Sequence, residues 1–241
     1  METDFWGALR AVLNIAAPAA TIAAPILIAV SVYLASRDKK RRKDDPERRP
    51  SRLPAVLVIA GIGLAVLMNL LYFAASVKYY AAREQRVADA PSFTITSENL
   101  HDGVWDTVIG KEQGENKSPQ LSWEPVEGAN AYGILMIDTD AGNWLHWKTG
   151  MVTTAGIPLG YAGADTYVGP YPPAGTTHSY TIYVAALREA DANVIGFLDG
   201  RNDYADYTPD KLLCSMDVTD GGTAGNVIAV GTITGTYSTA K

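Results

Sequence analysis

At 241 residues, with 47% hydrophobic residues and a formal net charge of −6, the chain has room for one domain of ordinary size plus a smaller appendage. The charge is unevenly divided: from Asp89 onward seven Lys/Arg stand against nineteen Asp/Glu. A surface that acidic repels phosphate backbones, which excludes nucleic acid as a partner, and the single Cys214 excludes an internal disulfide.

Residues 11–36 carry no charge and only Asn14, Thr21, Ser31 and Ser36 as polar groups. As a helix this run is about 39 Å long, enough to cross a hydrocarbon core of about 30 Å. Pro18 and Pro25 predict kinks rather than breaks, because in lipid the backbone has no alternative to hydrogen-bonding within the helix. A cleavable signal peptide is disfavoured, since Glu2 and Asp4 precede the one basic residue, Arg10. Residues 54–77 form a second uncharged run with Asn69 and Ser76 as its strongly polar groups. Gly61 and Gly63 within it lack the preceding strand of a phosphate loop and read as helix-packing positions.

Between the two runs, residues 37–52 hold nine Lys/Arg against four acids. Retention of positive charge in the cytoplasm puts this loop inside and both termini outside, a multi-pass arrangement that also accounts for the loop without invoking lipid-headgroup binding. The first 88 residues thus form a membrane anchor, and 89–241 a separate domain on the non-cytoplasmic side.

After a polar helical exit at 78–88, short β-like runs alternate with Gly, Pro, Asn and Asp. Strands are predicted over 92–97, 131–138, 145–152, 178–187 and 226–237, and a short helix over 209–216, with Thr208 as cap and Pro209 in the first turn. The spacing of these strands, with no long helices between them, predicts a mainly β fold built as an antiparallel sandwich. His178 and Tyr180, two apart on a strand, share a face, as on the same rule do His146 and Lys148.

Several motifs occur in a particular order: Asn116-Lys117-Ser118-Pro119-Gln120-Leu121-Ser122-Trp123, Asp138-Thr139-Asp140, His146-Trp147, the run from Gly169-Pro170-Tyr171-Pro172-Pro173 through His178-Ser179-Tyr180, and Asn226-Val227-Ile228-Ala229 with Gly235-Thr236-Tyr237. The ordered set, over about residues 92–238, resembles the phosphatidylethanolamine-binding protein family, and its bacterial Raf-kinase-inhibitor-like branch in particular. The resemblance implies a β-sandwich with a small anion-accepting pocket at one end. Position by position it assigns Asp138, Asp140, His146, His178 and Tyr180 to that pocket. Thr139 replaces the proline of the family's D-P-D motif, and Ser179 stands where the family carries an arginine expected to pair with one of the motif's acids. Lys148 is a candidate substitute for that lost charge.

These residues predict a non-enzymatic, membrane-tethered binding domain for a small anionic or phospho-group ligand, with the lipid bilayer as its standing partner and no cofactor or metal. A zinc site from Asp138, Asp140, His146 and His178 is chemically permissible but lacks supporting spacing. Hydrolysis by Ser179 with His178 is disfavoured because neighbouring strand residues point to opposite faces. The alternative is a protein-interaction or inhibitor module with a protease or kinase-like partner and a vestigial pocket.

Overall fold

A computed structural model of the chain describes residues 2–191, 194–219 and 224–240. They divide into two compact units, Met1–Ala82 and Arg83–Lys241.

The first unit contains α1 (Glu2–Asp44) and most of α2 (Leu53–Ala88). Both helices are long and apolar enough to cross a membrane. Helix α1 runs unbroken through Pro18 and Pro25. Three polar side chains of the apolar runs bond within the unit: Asn69 donates to Thr21 Oγ1 (3.0 Å) and to the Ala65 carbonyl (2.8 Å), and Ser31 donates to the Pro54 carbonyl (2.6 Å), whereas the Ser76 hydroxyl is buried without a hydrogen bond. Such bonds matter where no water can replace them. Of the two glycines, Gly61 packs on Leu27, whereas Gly63 faces open space. Apolar side chains including Ile15, Ile22, Ile59 and Phe73 are exposed on the surface of the unit.

The second unit is mainly β. Its strands are β1 (Ser92–Phe93), β2 (Ile95–Thr96), β3 (Leu100–His101), β4 (Val104–Trp105), β5 (Leu121–Trp123), β6 (Ala131–Asp138), β7 (Trp144–Val152), β8 (Gly156–Ile157), β9 (Thr177–Leu187) and β10 (Val227–Ser238), with one short helix, α3 (Pro209–Ser215), before β10. Thr208 caps α3 by accepting the Lys211 N–H. Seven strands form a sheet of order β3-β4-β10-β9-β6-β7, with β1 also on β10, and three form a second sheet, β2-β5-β8.

Pairing among β10, β9, β6 and β7 is antiparallel, but β1 and β4 both join β10 in parallel, so the large sheet is mixed rather than wholly antiparallel. The run predicted as one strand over 92–97 divides at Thr94: β1 goes to the large sheet and β2 to the small one.

Strand β6 is buried along its whole length because both faces of the large sheet are covered, which is why Ala131–Asp138 reads as a continuous apolar run rather than an alternating one. Ile134 and Met136 pack with Ile95, Leu121, Trp123 and Ile157 of the small sheet. Leu135 and Ile137, on the opposite face, pack with Leu212, Leu213 and Met216 around α3.

The end of α2 belongs to this second unit, which begins at Arg83, ahead of the boundary at 89 drawn from composition. Val87 lies in the α3-side core. Arg83 and Arg86 both pair with the carboxylate of Asp217, which is fully buried and also accepts the Val227 N–H at 3.0 Å. A charge removed from water in this way is tolerated only when it is paired and hydrogen-bonded.

Candidate functional site

At the end of β6, Asp138 Oδ1 accepts the N–H groups of Asp140 (2.9 Å) and Ala141 (3.1 Å), so the carboxylate closes the turn into β7. Those N–H groups belong to positions 140 and 141, and the turn therefore forms with Thr139 where the related motif has proline. Asp138 Oδ2 accepts from His178 Nδ1 at 2.7 Å. With Nδ1 donating to a carboxylate, Nε2 of His178 is left for another partner. His178 and Tyr180 do share a face of β9, as the two-residue period demands, and Tyr180 pairs across with Asp138.

The register between β6 and β7 shifts at His146. Ile137 opposes Leu145 and Met136 opposes Trp147, which leaves His146 as the extra residue of a β-bulge. One consequence is that Leu145 and Trp147, two apart, lie on opposite faces of the sheet, in the α3-side core and the small-sheet core respectively. A second is that His146 is turned toward Tyr180 (5.1 Å between ring centres) and Tyr171 (5.8 Å). Lys148 does not accompany it: its ammonium donates to the carbonyls of Val194 (3.2 Å) and Gly196 (2.9 Å), on the α3 side. The expectation that His146 and Lys148 share a face fails because the bulge breaks the alternation on which it rested.

His146 is buried, and its Nδ1 donates to the Val168 carbonyl at 2.8 Å. A carbonyl can only accept, which fixes the tautomer with a lone pair on Nε2. Burial holds its pKa below the ordinary imidazole value of 6.5, against the opposing pull of that hydrogen bond and of Asp138 and Asp199. Tyr180 is fully buried, and its hydroxyl, close to the Asp138 carboxylate, makes no hydrogen bond of good geometry. Desolvation first, and the nearby Asp138 charge second, raise its pKa far above the phenol range, so it remains a donor.

These groups open on a cavity of about 200 Å³. Asp138, His146, His178 and Tyr180 supply its polar edge, and Trp144, Tyr171, Pro172, Pro173 and Ala141 its apolar walls. Asp140, assigned to the pocket by resemblance, is not in the lining: it is exposed and its carboxylate accepts the Ser179 N–H at 2.7 Å. Among the described residues no three His, Cys, Asp or Glu side chains converge as a metal site.

The other motifs position these walls. Asn116 Oδ1 accepts the Gly169 N–H at 2.7 Å, and a side chain at Gly169 would collide with the Ile109 carbonyl, so Pro170 to Pro173 are held close against the 109–116 segment. Tyr237 pairs with His178 across β10 and β9 and packs edge-on against Tyr180.

Sequence reasoning missed the outer rim. Asp199 accepts from Lys111 Nζ (3.1 Å), from Trp144 Nε1 (3.2 Å) and from the Tyr171 hydroxyl. Partial burial pushes the Asp199 pKa up, but the three hydrogen bonds and the Lys111 charge outweigh it and leave it below the usual carboxylate value. No spacing links positions 111, 144, 171 and 199, which meet only in the folded chain.

Fold and pocket together define a mainly β domain of the ligand- or protein-binding kind. The phosphatidylethanolamine-binding protein family model matches residues 95–238, more than half of the chain, and the chain belongs to that family. Among solved structures it is similar to E. coli YbcL, described as a member of the mammalian PEBP family, at 22% identity and a TM-score of 0.45, covering 61% of this chain and 98% of that one. It is likewise similar to a PEBP homologue of Chlamydia trachomatis, at 20% identity and a TM-score of 0.43, with the same coverages. No curated protein sequence matches the chain.

Proposed function

We propose that the protein is a membrane-tethered, non-enzymatic binding module that holds a small anionic or phospho-group ligand in the pocket between β6, β7 and β9. The observation that carries this reading is the Tyr180 hydroxyl, buried beside the Asp138 carboxylate without a well-formed hydrogen bond, at a cavity that His178 and His146 also line. A buried donor without an acceptor costs about 1–3 kcal/mol, and an anionic oxygen arriving from outside removes that cost. Asp138 takes the Nδ1 proton of His178, so Nε2 donates to an anion only when the ring is protonated, and that bond is then charge-assisted.

Tethering rests on the two apolar helices, and orientation on the nine basic residues between them, which argue for the β domain and both termini outside. A membrane-impermeant thiol reagent should label a cysteine introduced at position 241 in intact cells; labelling only after lysis would reverse the orientation.

Calorimetric titration of the full chain in detergent with inorganic phosphate tests the pocket. Binding is expected, weakened about ten- to a hundredfold by His178→Ala and unchanged by Ser179→Ala, since a hydrogen bond to a charged group is worth about 1.5–3 kcal/mol. Binding that is indifferent to His178→Ala would discard the reading. It would then favour the alternative, a protein-interaction or inhibitor module, for which the exposed Phe197 stacked on the exposed Tyr204 offers a surface.

A further inference from the structure

Three donors that belong to three different segments, the ammonium of Lys111, the indole N–H of Trp144 and the hydroxyl of Tyr171, converge on one carboxylate, that of Asp199. Two of the three also wall the pocket, so this cluster is continuous with the cavity rather than a separate surface feature. Lys111 is fixed twice over: besides the Asp199 contact, its ammonium lies 4.1 Å above the Tyr171 ring. Asp199 is delivered by a backbone bent for the purpose. Its φ is +54°, a left-handed value that costs a non-glycine residue energy, and its N–H is bonded to the Leu145 carbonyl at 2.8 Å. An ammonium, an indole and a phenol around two oxygens form a donor set that a carboxylate or phosphate can use.

We propose that Lys111, Trp144 and Tyr171 form an outer oxyanion subsite at the mouth of the pocket, filled in the resting protein by the chain's own Asp199. An incoming ligand with an anionic group at its outer end competes with Asp199 for these donors. Ligands without such a group bind the inner site with the Asp199 contacts unbroken. The subsite extends the reading of the inner pocket as an anion site, and its use by the same ligand rests on that reading.

The test is a titration of the full chain with inorganic phosphate, comparing the parent with Asp199→Gly, which removes the carboxylate at a φ that glycine adopts without strain. Affinity should rise about tenfold or more, and Lys111→Met added to Asp199→Gly should cancel the rise. Should the glycine variant melt early, Asp199→Asn preserves the shape of the rim and should shift affinity in the same direction by less. Unchanged or weaker binding in both Asp199 variants overturns the subsite. A rise that survives Lys111→Met also overturns it, because relief of repulsion alone needs no donor set. The inner reading is judged separately by adding His178→Ala. If the parent binds no phosphate while Asp199→Gly does, and His178→Ala leaves that binding intact, the outer subsite stands and the inner one falls. If none of the variants binds, both fall.

Discussion

Asp138 and Asp217 are both buried carboxylates of the same domain, yet their surroundings give them opposite roles. Asp217 is neutralised by Arg83 and Arg86 and closed off by the Val227 N–H, with the α3-side core around it. Asp138 is satisfied by two turn N–H groups and by a histidine whose far nitrogen is left over, and a cavity lies beside it. Burial of a charge is therefore not what marks a site. The difference lies in what the carboxylate holds and where: Asp217 is fully buried in an ion pair with two arginines, whereas Asp138 orients a histidine that lines the cavity.

The largest effect that would sharpen the contrast is on stability at Asp217. Asp217→Ala leaves two arginine side chains facing a vacated, largely buried position and should destabilise the β domain by about 3–5 kcal/mol, with phosphate affinity unchanged in the folded fraction. Denaturant unfolding of the full chain followed by tryptophan fluorescence measures it. A loss below about 1 kcal/mol would show that the pair is exchangeable with water. The same anchor predicts that a fragment starting at 89, which lacks Arg83, Arg86 and Val87, melts well below one starting at 83.

At the pocket the order of effects should reverse. Tyr180→Phe removes a hydroxyl that makes no well-formed hydrogen bond in the unliganded protein, so stability should hold or rise slightly while phosphate affinity drops about tenfold or more. A destabilised Tyr180→Phe with normal affinity would make the hydroxyl structural and abolish the distinction drawn here.

The smallest effect is a pH dependence. Burial lowers the His146 pKa below 6.5, so between that value and the lower folded one the unfolded chain binds more protons than the folded chain. The stability associated with neutral His146 is fully present above pH 6.5 and is lost as the pH falls through the folded pKa, at a slope of at most about 1.4 kcal/mol per pH unit. Melting temperatures of the parent should fall faster between pH 7 and pH 5 than those of His146→Asn. Parallel curves would place the ring in a solvated setting.

How far the sequence speaks is seen best by following single elements. Strands β6 and β9 and helix α3 were legible almost to the residue, because a continuous apolar run, a two-residue period and a capped proline start are local properties of the chain. The ordered motifs carried Asp138, His146, His178 and Tyr180 to one cavity, and only Asp140 proved to turn aside. The division of 92–97 between two sheets was not legible, since two-residue strands carry no period of their own and are defined by the strands they meet.

The sequence by itself determined two uncharged runs of spanning length and a mainly β domain behind them, because each follows from patterns within a few residues, and the histidine, acid and tyrosine side chains at one end of the domain came from the resemblance of its ordered motifs. Only the tertiary structure decided that His146 sits on a bulge and parts company with Lys148, that Arg83 and Arg86 belong to the β domain, and that Lys111, Trp144, Tyr171 and Asp199 form one cluster. Each of these depends on which distant segments come together: a bulge exists only relative to the strand opposite, and an ion pair or a donor cluster only once its separate segments have been packed into place.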